Sequence, residues 1–534
     1  MGNVGGLVVW AAVLAGIVVR VALWWQDRAF WRDELALVQS LDAYPLRKLL
    51  GGPLADTQSA PPGWLLLERL VSLGLGTGER AYRLIPLLLG CGTLVLVALL
   101  ARRFVRHTWT AAIPVLALAT LPQLVFYSAQ AKQYTTDTFL VTAMLLVAVG
   151  LIRGGPSRRL EIGWYALLAV GPWLSHGFML AAPLVALWVG IFQWWRGVRS
   201  FLGVLVRLAG PGLSLLLAAL WARHLTSLSP AFESYWAPFM RTGDSGFLSW
   251  NHFVWEDFAI RELGFARSGA LALLALPVLG VVVAFARRWS RSTAVLLVLP
   301  LVAAYLFAFA GMYPFGRRLV LFCVPGLLVA LAVLVDAVIG VVSRARGRWV
   351  GQAAGLVGVV GLGLCAWTTP ARLDLNLRYQ YGADDYRIAL QFVESRWKQG
   401  DVLVMGNGDR VAFRVYGVRL GLPEERAYRV RPVPEGTRRV GCPLPAEITS
   451  AGRIWLVTGD AVPIFPDERS RHSAISPFLD RYRRVYFADK GHVSIQVLLP
   501  GPADGVAPPP AGCLSFAPVG PAGAPGLAPA LPVE

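Results

Sequence analysis

Three short clusters in this chain carry residue types suited to chemistry. The first is Phe30-Trp31-Arg32-Asp33-Glu34, where two adjacent acids follow an apolar run by eight residues. A carboxylate in a cleft of low dielectric has a raised pKa and can act as a base. The same pair also fits a wet interfacial loop with a snorkelling aromatic. The second, from Tyr127 through Lys132, Gln133 and Tyr134 to Asp137, sets two ionisable groups beside the apolar run 135–152. Ionisable groups near membrane depth mark functional sites, or pair with each other to fix two helices. The third, Tyr313-Pro314-Phe315-Gly316-Arg317-Arg318, precedes the run 319–341. Arginine stays charged and can bind phosphate bidentately, or it anchors a helix to lipid headgroups. Ser175-His176-Gly177 interrupts the run 162–195 and supplies a lone His, either a hydrogen-bonding corner or a ligand. The stretch 223–268 holds His224, Tyr235, Trp236, His252, Trp255, Glu256 and Asp257, whose aromatics fit sugar stacking or an interfacial belt equally well.

The elements that position these groups belong to a chain that water alone cannot solvate. Its 534 residues are 56% apolar and 15% charged, where a soluble domain is about 25% charged. That excludes a disordered, collagen-like or disulfide-rich secreted chain as a description of the whole. The net charge is +18, and 46 of the 50 basic residues are Arg. With abundant Ala, Gly and Pro, this composition fits a G+C-rich bacterial coding sequence. Basic residues cap apolar runs and form no basic domain, which argues against a nucleic-acid partner. The five cysteines show no CxxC or Cys/His metal spacing. Cys442 and Cys513, beyond the last apolar run, fit one disulfide or two free thiols.

Apolar runs of roughly spanning length are Val4–Trp25, 82–101, 111–127, 135–152, 162–195, 203–222, 269–286, 293–311, 319–341 and 350–368. Five short connections each carry three arginines: Arg102/Arg103/Arg106, Arg153/Arg158/Arg159, Arg196/Arg199/Arg207, Arg287/Arg288/Arg291 and Arg344/Arg346/Arg348. The positive-inside rule makes these cytoplasmic. The segment 61–76, with Glu68-Arg69 in its middle, then reads as a re-entrant or interfacial helix. The run 162–195 crosses twice, turning near Ser175-His176-Gly177. About eleven spans result, with the N-terminus inside and 26–81, 223–268 and 369–534 outside. There is no P-loop and no Gly-rich dinucleotide motif, so a substrate must arrive without nucleotide activation. Arg317, Arg318 and Lys132 fall on the expected outer side, against the trend of the other cations. Residues 1–368 read as the transmembrane domain. Within 369–500, a helix over 384–398 and strands over 401–405, 453–457 and 492–499 read as an extracytoplasmic α/β domain. The Pro/Ala/Gly-rich tail 501–534 reads as disordered.

The order of these motifs resembles the GT-C glycosyltransferases: an Asp-Glu pair in the first outer loop, Pro61-Pro62 opening a helix, Lys132-x-Tyr134-x-x-Asp137, and Gly316-Arg317-Arg318 before a late span. It is similar in particular to protein O-mannosyltransferases and to bacterial aminoarabinose transferases acting on lipid A. The resemblance covers about residues 5–340. It implies a mainly α, polytopic membrane helical bundle with a small C-terminal α/β domain, multi-pass in the cytoplasmic (inner) membrane of the cell envelope. It implies a polyprenyl-phosphate-linked sugar donor and an acceptor hydroxyl on a lipid, glycan or protein. By resemblance, Asp33 matches the acid at the catalytic centre and Glu34 its neighbour, and Asp137 resembles a second acid near the acceptor. Lys132, Arg317 and Arg318 lie where cations would hold the lipid phosphate. Apart from the resemblance, Tyr134 and His176 are candidate substrate-binding residues by their place on the same outer turns. One displacement with Asp33 as base implies inversion at the anomeric carbon. No cofactor or metal is required, although a divalent cation beside Asp33 and Glu34 is compatible with the donor set. Two departures bear on specificity. Leu35-Ala36-Leu37 follows the acid pair where aminoarabinose transferases typically have Ala-Arg-Tyr, and Ser59-Ala60 stands where relatives often carry a His. The sugar and acceptor of that branch are therefore not carried over.

Two other classes compete. A transporter or flippase of a lipid-linked saccharide would show paired ionisable groups deep in several spans and inverted repeats. The clearest buried charge is Asp336, and no internal repeat is visible. A non-catalytic scaffold presenting the C-terminal module would leave Asp33 and Asp137 dispensable.

Overall fold

Long apolar segments that must satisfy their own backbone hydrogen bonds fold as helices, and the first, Gly2–Trp25, is helical from end to end. The computed structural model describes residues 2–154, 157–228, 234–241, 246–265, 267, 269–347, 349–353, 355–357, 385–406, 409–432, 448, 451–459, 482–490, 493–500 and 514–518. The chain falls into two compact units. One comprises Met1–Asp27, Leu50–Pro53 and Ser59–Tyr379, the other Arg28–Leu49, Leu54–Gln58 and Gln380–Glu534. The boundary expected at 368–369 lies outside the described residues, as do Cys442 and Cys513.

The first unit is helical. Among the described residues, six helices are long and apolar enough to cross a membrane: Val4–Trp25, Glu79–Arg102, Tyr134–Arg153, His176–Trp195, Phe201–Ser227 and Arg317–Arg346. Arg291–Leu297 and Leu299–Phe309, bent by 45°, make a seventh if the pair is one span. Other apolar runs form shorter helices, Thr108–Thr120 and Ala270–Ala286 and Arg158–Leu174. Of the run 350–368, residues from 358 on lie outside the described ones. The run 162–195 divides at Ser175, whose extended backbone separates Arg158–Leu174 from His176–Trp195. The Pro-Pro segment forms the 14-residue helix Pro62–Leu75, which rises about 21 Å, short of an apolar core of about 30 Å.

One sequence break was not expected. The run 111–127 splits into Ala112–Thr120 and Pro122–Tyr127, because Pro122 has no N–H to offer the Leu118 carbonyl. Arg20, buried within the first helix, donates to that carbonyl at 2.9 Å and to Gly16 O at 3.2 Å. Its charge is thus used to repair a helix. Asp336, also buried, accepts from the Arg106 and His107 amides at 3.0 and 2.8 Å. It also faces His107 Nδ1 at 2.9 Å and Arg287 Nη2 at 3.0 Å.

The second unit is built on a six-stranded sheet of order β4-β5-β3-β1-β2-β6. Strands β1 (Asp401–Gly406), β2 (Ala427–Pro432) and β3 (Arg453–Gly459) are parallel, with Leu403 opposite Ala427 and Trp455. Strands β4 (Tyr482–Lys490), β5 (Val493–Pro500) and β6 (Leu514–Pro518) extend it antiparallel at both edges. Parallel strands covered on both faces read as apolar runs, and β1 is buried throughout. The helix Tyr386–Glu394 buries Tyr386, Ala389, Leu390 and Val393, one face at helical spacing. Asp401 joins β1 to β3, accepting from Arg453 Nε at 3.0 Å, Trp455 Nε1 at 2.9 Å and the Lys398 amide at 2.9 Å. Within the tail expected to be disordered, Leu514–Pro518 is a strand, and its other residues lie outside those described.

The helix Arg32–Ala43, from the first loop of the sequence, folds within this second unit. Asp42 pairs with Arg419 at 2.7 Å and Asp56 with Arg410 at 3.1 Å. The Phe30 amide donates to the Tyr416 hydroxyl at 2.7 Å, and their rings stack 6.2 Å apart. These contacts span more than 350 residues of sequence.

Candidate active site

In the first unit, three chain segments bring polar groups together. Asp137 sits in the first turn of Tyr134–Arg153, where the helix dipole favours a negative charge. Its Oδ1 accepts from Ser175 Oγ at 2.5 Å and from the Gly177 amide at 3.3 Å. Ser175 in turn accepts from the Phe178 amide at 2.8 Å, capping the helix that begins at His176. Asp137 therefore fixes the corner carrying half-buried His176. Only glycine fits at 177, because a Cβ there would lie 2.5 Å from the Phe322 ring and 3.0 Å from Asp137 Cβ.

The arginine pair meets the same helix start. Arg318 Nε donates to the Tyr134 hydroxyl at 2.9 Å, and its guanidinium lies 5.5 Å from the Trp236 ring centroid. Arg317 Nη1 donates to the Tyr235 hydroxyl at 3.2 Å and lies 5.2 Å from the Phe239 ring. Cations over aromatic faces are held without losing their charge. The segment is pinned by the Phe315 amide, which donates to Phe239 O at 2.9 Å. Arg317 has φ 51°, a left-handed conformation that costs a non-glycine residue about 1–3 kcal/mol and collects at functional sites. Tyr134 packs edge-on against Tyr127 at 4.8 Å. Tyr313 donates to Leu319 O at 3.3 Å. Burial first, then the charge of Asp137, pushes its phenol well above the usual tyrosine range.

Lys132 is buried in the turn before this helix, and Gln133 Nε2 donates to Ser59 O at 3.1 Å. Around them Gln130 Oε1, Gln133 Oε1, Thr135 Oγ1 and Thr136 Oγ1 are buried with no hydrogen-bond partner among the described residues. Natural proteins seldom leave such groups unsatisfied without a reason.

Asp33 and Glu34 belong to the second unit. Both lie in the first turn of Arg32–Ala43, Asp33 half-buried and Glu34 fully buried. Glu34 Oε2 accepts from the Trp31 amide at 3.2 Å, one arm of a capping arrangement. Nearby in that unit, Asp409 accepts from Tyr386 at 2.5 Å and from the Gly459 amide at 3.3 Å.

Asp137, Tyr134, Arg317, Arg318 and His176 are thus gathered on three adjoining segments, with Lys132 on the turn leading in. Sequence reasoning passed over Ser175 as a ligand of Asp137, and Tyr313. It also passed over Glu262, which continues the four-residue spacing of Trp250, Val254 and Phe258. Among the described residues no group of three or more His, Cys, Asp or Glu is arranged to hold a metal ion.

No protein-family model and no curated protein sequence matches the chain. Solved structures do. One is ArnT from Cupriavidus metallidurans bound to undecaprenyl phosphate, at 13% identity and a TM-score of 0.50, covering 92% of this chain and 97% of that one. Another is the archaeal oligosaccharyltransferase AglB from Archaeoglobus fulgidus in complex with an inhibitory peptide and a dolichol-phosphate. It has 12% identity and a TM-score of 0.50, covering 77% of this chain. This chain spans only 63% of that protein's length. A third, the Archaeoglobus fulgidus oligosaccharyltransferase tethered with an acceptor peptide, gives 12% identity and a TM-score of 0.51, covering 80% of this chain and 69% of its own. The fold is accordingly similar to that of these proteins, a helical unit with several helices long and apolar enough to cross a membrane and a second unit built on a small sheet.

Proposed function

We propose that this protein is an integral membrane glycosyltransferase. It moves a sugar from a polyprenyl-phosphate-linked donor to an acceptor hydroxyl on the outer face of the membrane. The observation that carries this reading is the arginine pair, with Arg317 on a strained backbone and both side chains seated on phenols and ring faces. The presence of dolichol-phosphate and undecaprenyl phosphate in the two structural neighbours supports a lipid phosphate as the ligand.

In this mechanism Arg317 and Arg318 hold the donor phosphate, with Lys132 adding positive charge and Tyr134 orienting Arg318. Asp33 takes the proton of the acceptor hydroxyl. The hydroxyl oxygen attacks the anomeric carbon, the bond from that carbon to the phosphate oxygen breaks, and polyprenyl phosphate leaves with the electron pair. One displacement inverts the configuration. Preorganised cations facing the leaving phosphate supply much of the barrier lowering in such a site. Glu34 fixes the helix start that carries Asp33. Asp137 holds the corner bearing His176, on the acceptor side of the reaction.

The test is a transfer assay with the donor lipid that co-purifies, using Asp33→Asn. Loss of general-base catalysis costs about 10²–10⁴-fold in turnover, with donor binding retained. Turnover at the wild-type rate would remove Asp33 from this role.

A further inference from the structure

The helix Phe247–Arg261 turns Trp250, Val254 and Phe258 inward, and the next residue at this spacing is Glu262. Its side chain is fully buried, and neither carboxylate oxygen has a hydrogen-bond partner among the described residues. The Phe258 ring lies 5.4 Å from Phe315, and Trp255 lies 4.9 Å from the same ring. Phe315 stands two residues before Arg317, so the end of this helix is packed against the backbone that presents the arginine pair. Arg317 and Arg318 both lie within electrostatic reach of Glu262. Asp257 is occupied by Arg261 at 2.7 Å.

A buried acid beside two arginines would ordinarily close an ion pair with them. Here Arg317 is turned to the Tyr235 hydroxyl, and among the described residues its Nε and the Glu262 carboxyl have no hydrogen-bond partner. We infer that Glu262 completes the anion site of Arg317 and Arg318, donating a hydrogen bond to the phosphate group of the lipid-linked ligand. This assignment rests on the donor reading above. A donor on the acid suits the charge balance, since a carboxylate there would cancel one arginine and repel the phosphate. Burial, then the neighbouring Asp257, raises the Glu262 carboxyl to about 8, against the smaller opposite pull of Arg261, Arg317 and Arg318. The acid therefore carries its proton at neutral pH, as buried carboxylic acids that serve as hydrogen-bond donors do. The ionisable groups facing it are Asp257 and Arg261 on its own helix, and Arg317, Arg318 and Cys323 on the segment Arg317–Cys323.

The experiment is equilibrium binding of undecaprenyl phosphate to the full-length protein in lipid nanodiscs between pH 7 and pH 9. That range lies above the second ionisation of a phosphate monoester near 6. Wild-type affinity should fall about tenfold across it, following the fraction of Glu262 still protonated. Glu262→Gln, which keeps an N–H donor and cannot ionise, should bind within about threefold of wild type at pH 7 and show a flat profile. Cys323→Ser should keep the wild-type slope. Millimolar inorganic phosphate should leave the lipid bound. A flat wild-type profile, or an unchanged slope in Glu262→Gln, overturns the role of Glu262 while leaving the donor reading standing. Displacement by inorganic phosphate overturns the assignment to a lipid. Absence of lipid binding at every pH removes the donor reading and this inference with it.

Discussion

The two ends of the helix Arg317–Arg346 treat charge in opposite ways. Towards its C-terminal end, Asp336 is enclosed by two backbone amides, an imidazole and the Arg287 guanidinium. At its N-terminal end, Arg317 and Arg318 rest on hydroxyls and ring faces. A charge that only holds helices together is neutralised where it stands. On the reading proposed above, the arginines at the other end direct their field at a ligand.

The largest effect that would test this contrast is loss of the arginine pair. Arg317→Ala with Arg318→Ala should weaken undecaprenyl phosphate binding by about a hundredfold or more, from two charge-assisted bonds of about 1.5–3 kcal/mol each. The thermal midpoint should move little. A large drop in stability with binding intact would reverse the assignment of the two ends. Next in size is Asp336→Ala, which strands Arg287 and two amides. It should cost about 3–5 kcal/mol of stability in denaturant unfolding, with lipid affinity per folded molecule unchanged.

The smallest effect concerns the second unit. Burial raises the Asp409 carboxyl above its ordinary range. A raised acid is bound more favourably in its protonated form, so its contribution is present below the unfolded value near 3.9. That contribution is lost as pH rises towards the folded value. Asp409→Asn should flatten that part of the profile, visible as a smaller fall in thermal midpoint between pH 4 and pH 6. A steeper fall than wild type would contradict the direction.

Much of this was legible because the physics is local. Ser175 before His176-Gly177 reads as a helix cap, and the run 162–195 does divide there. Strands β1, β3 and β5 show as apolar runs in the sequence. Strands β2 and β4 carry Arg429, Arg431, Arg483, Arg484 and Lys490, which break the apolar pattern and hide both from an apolar scan. Pro122 marked the break after Leu121 and was available to see. The folding of Arg32–Ala43 with the sheet unit was not legible. It depends on pairs such as Asp42–Arg419, 377 residues apart, which no local pattern announces. Asp137, Arg317 and Arg318 stood out by type, whereas Glu262 was masked by the aromatic stripe it ends.

The most direct test of the central reading is mass spectrometry of lipid that co-purifies with wild-type protein and with the Arg317→Ala/Arg318→Ala variant. A glycosylated polyprenyl phosphate should accompany the wild type, serve as donor in a transfer assay, and be absent from the variant. Its absence from wild type, or its equal recovery from both, would contradict the account.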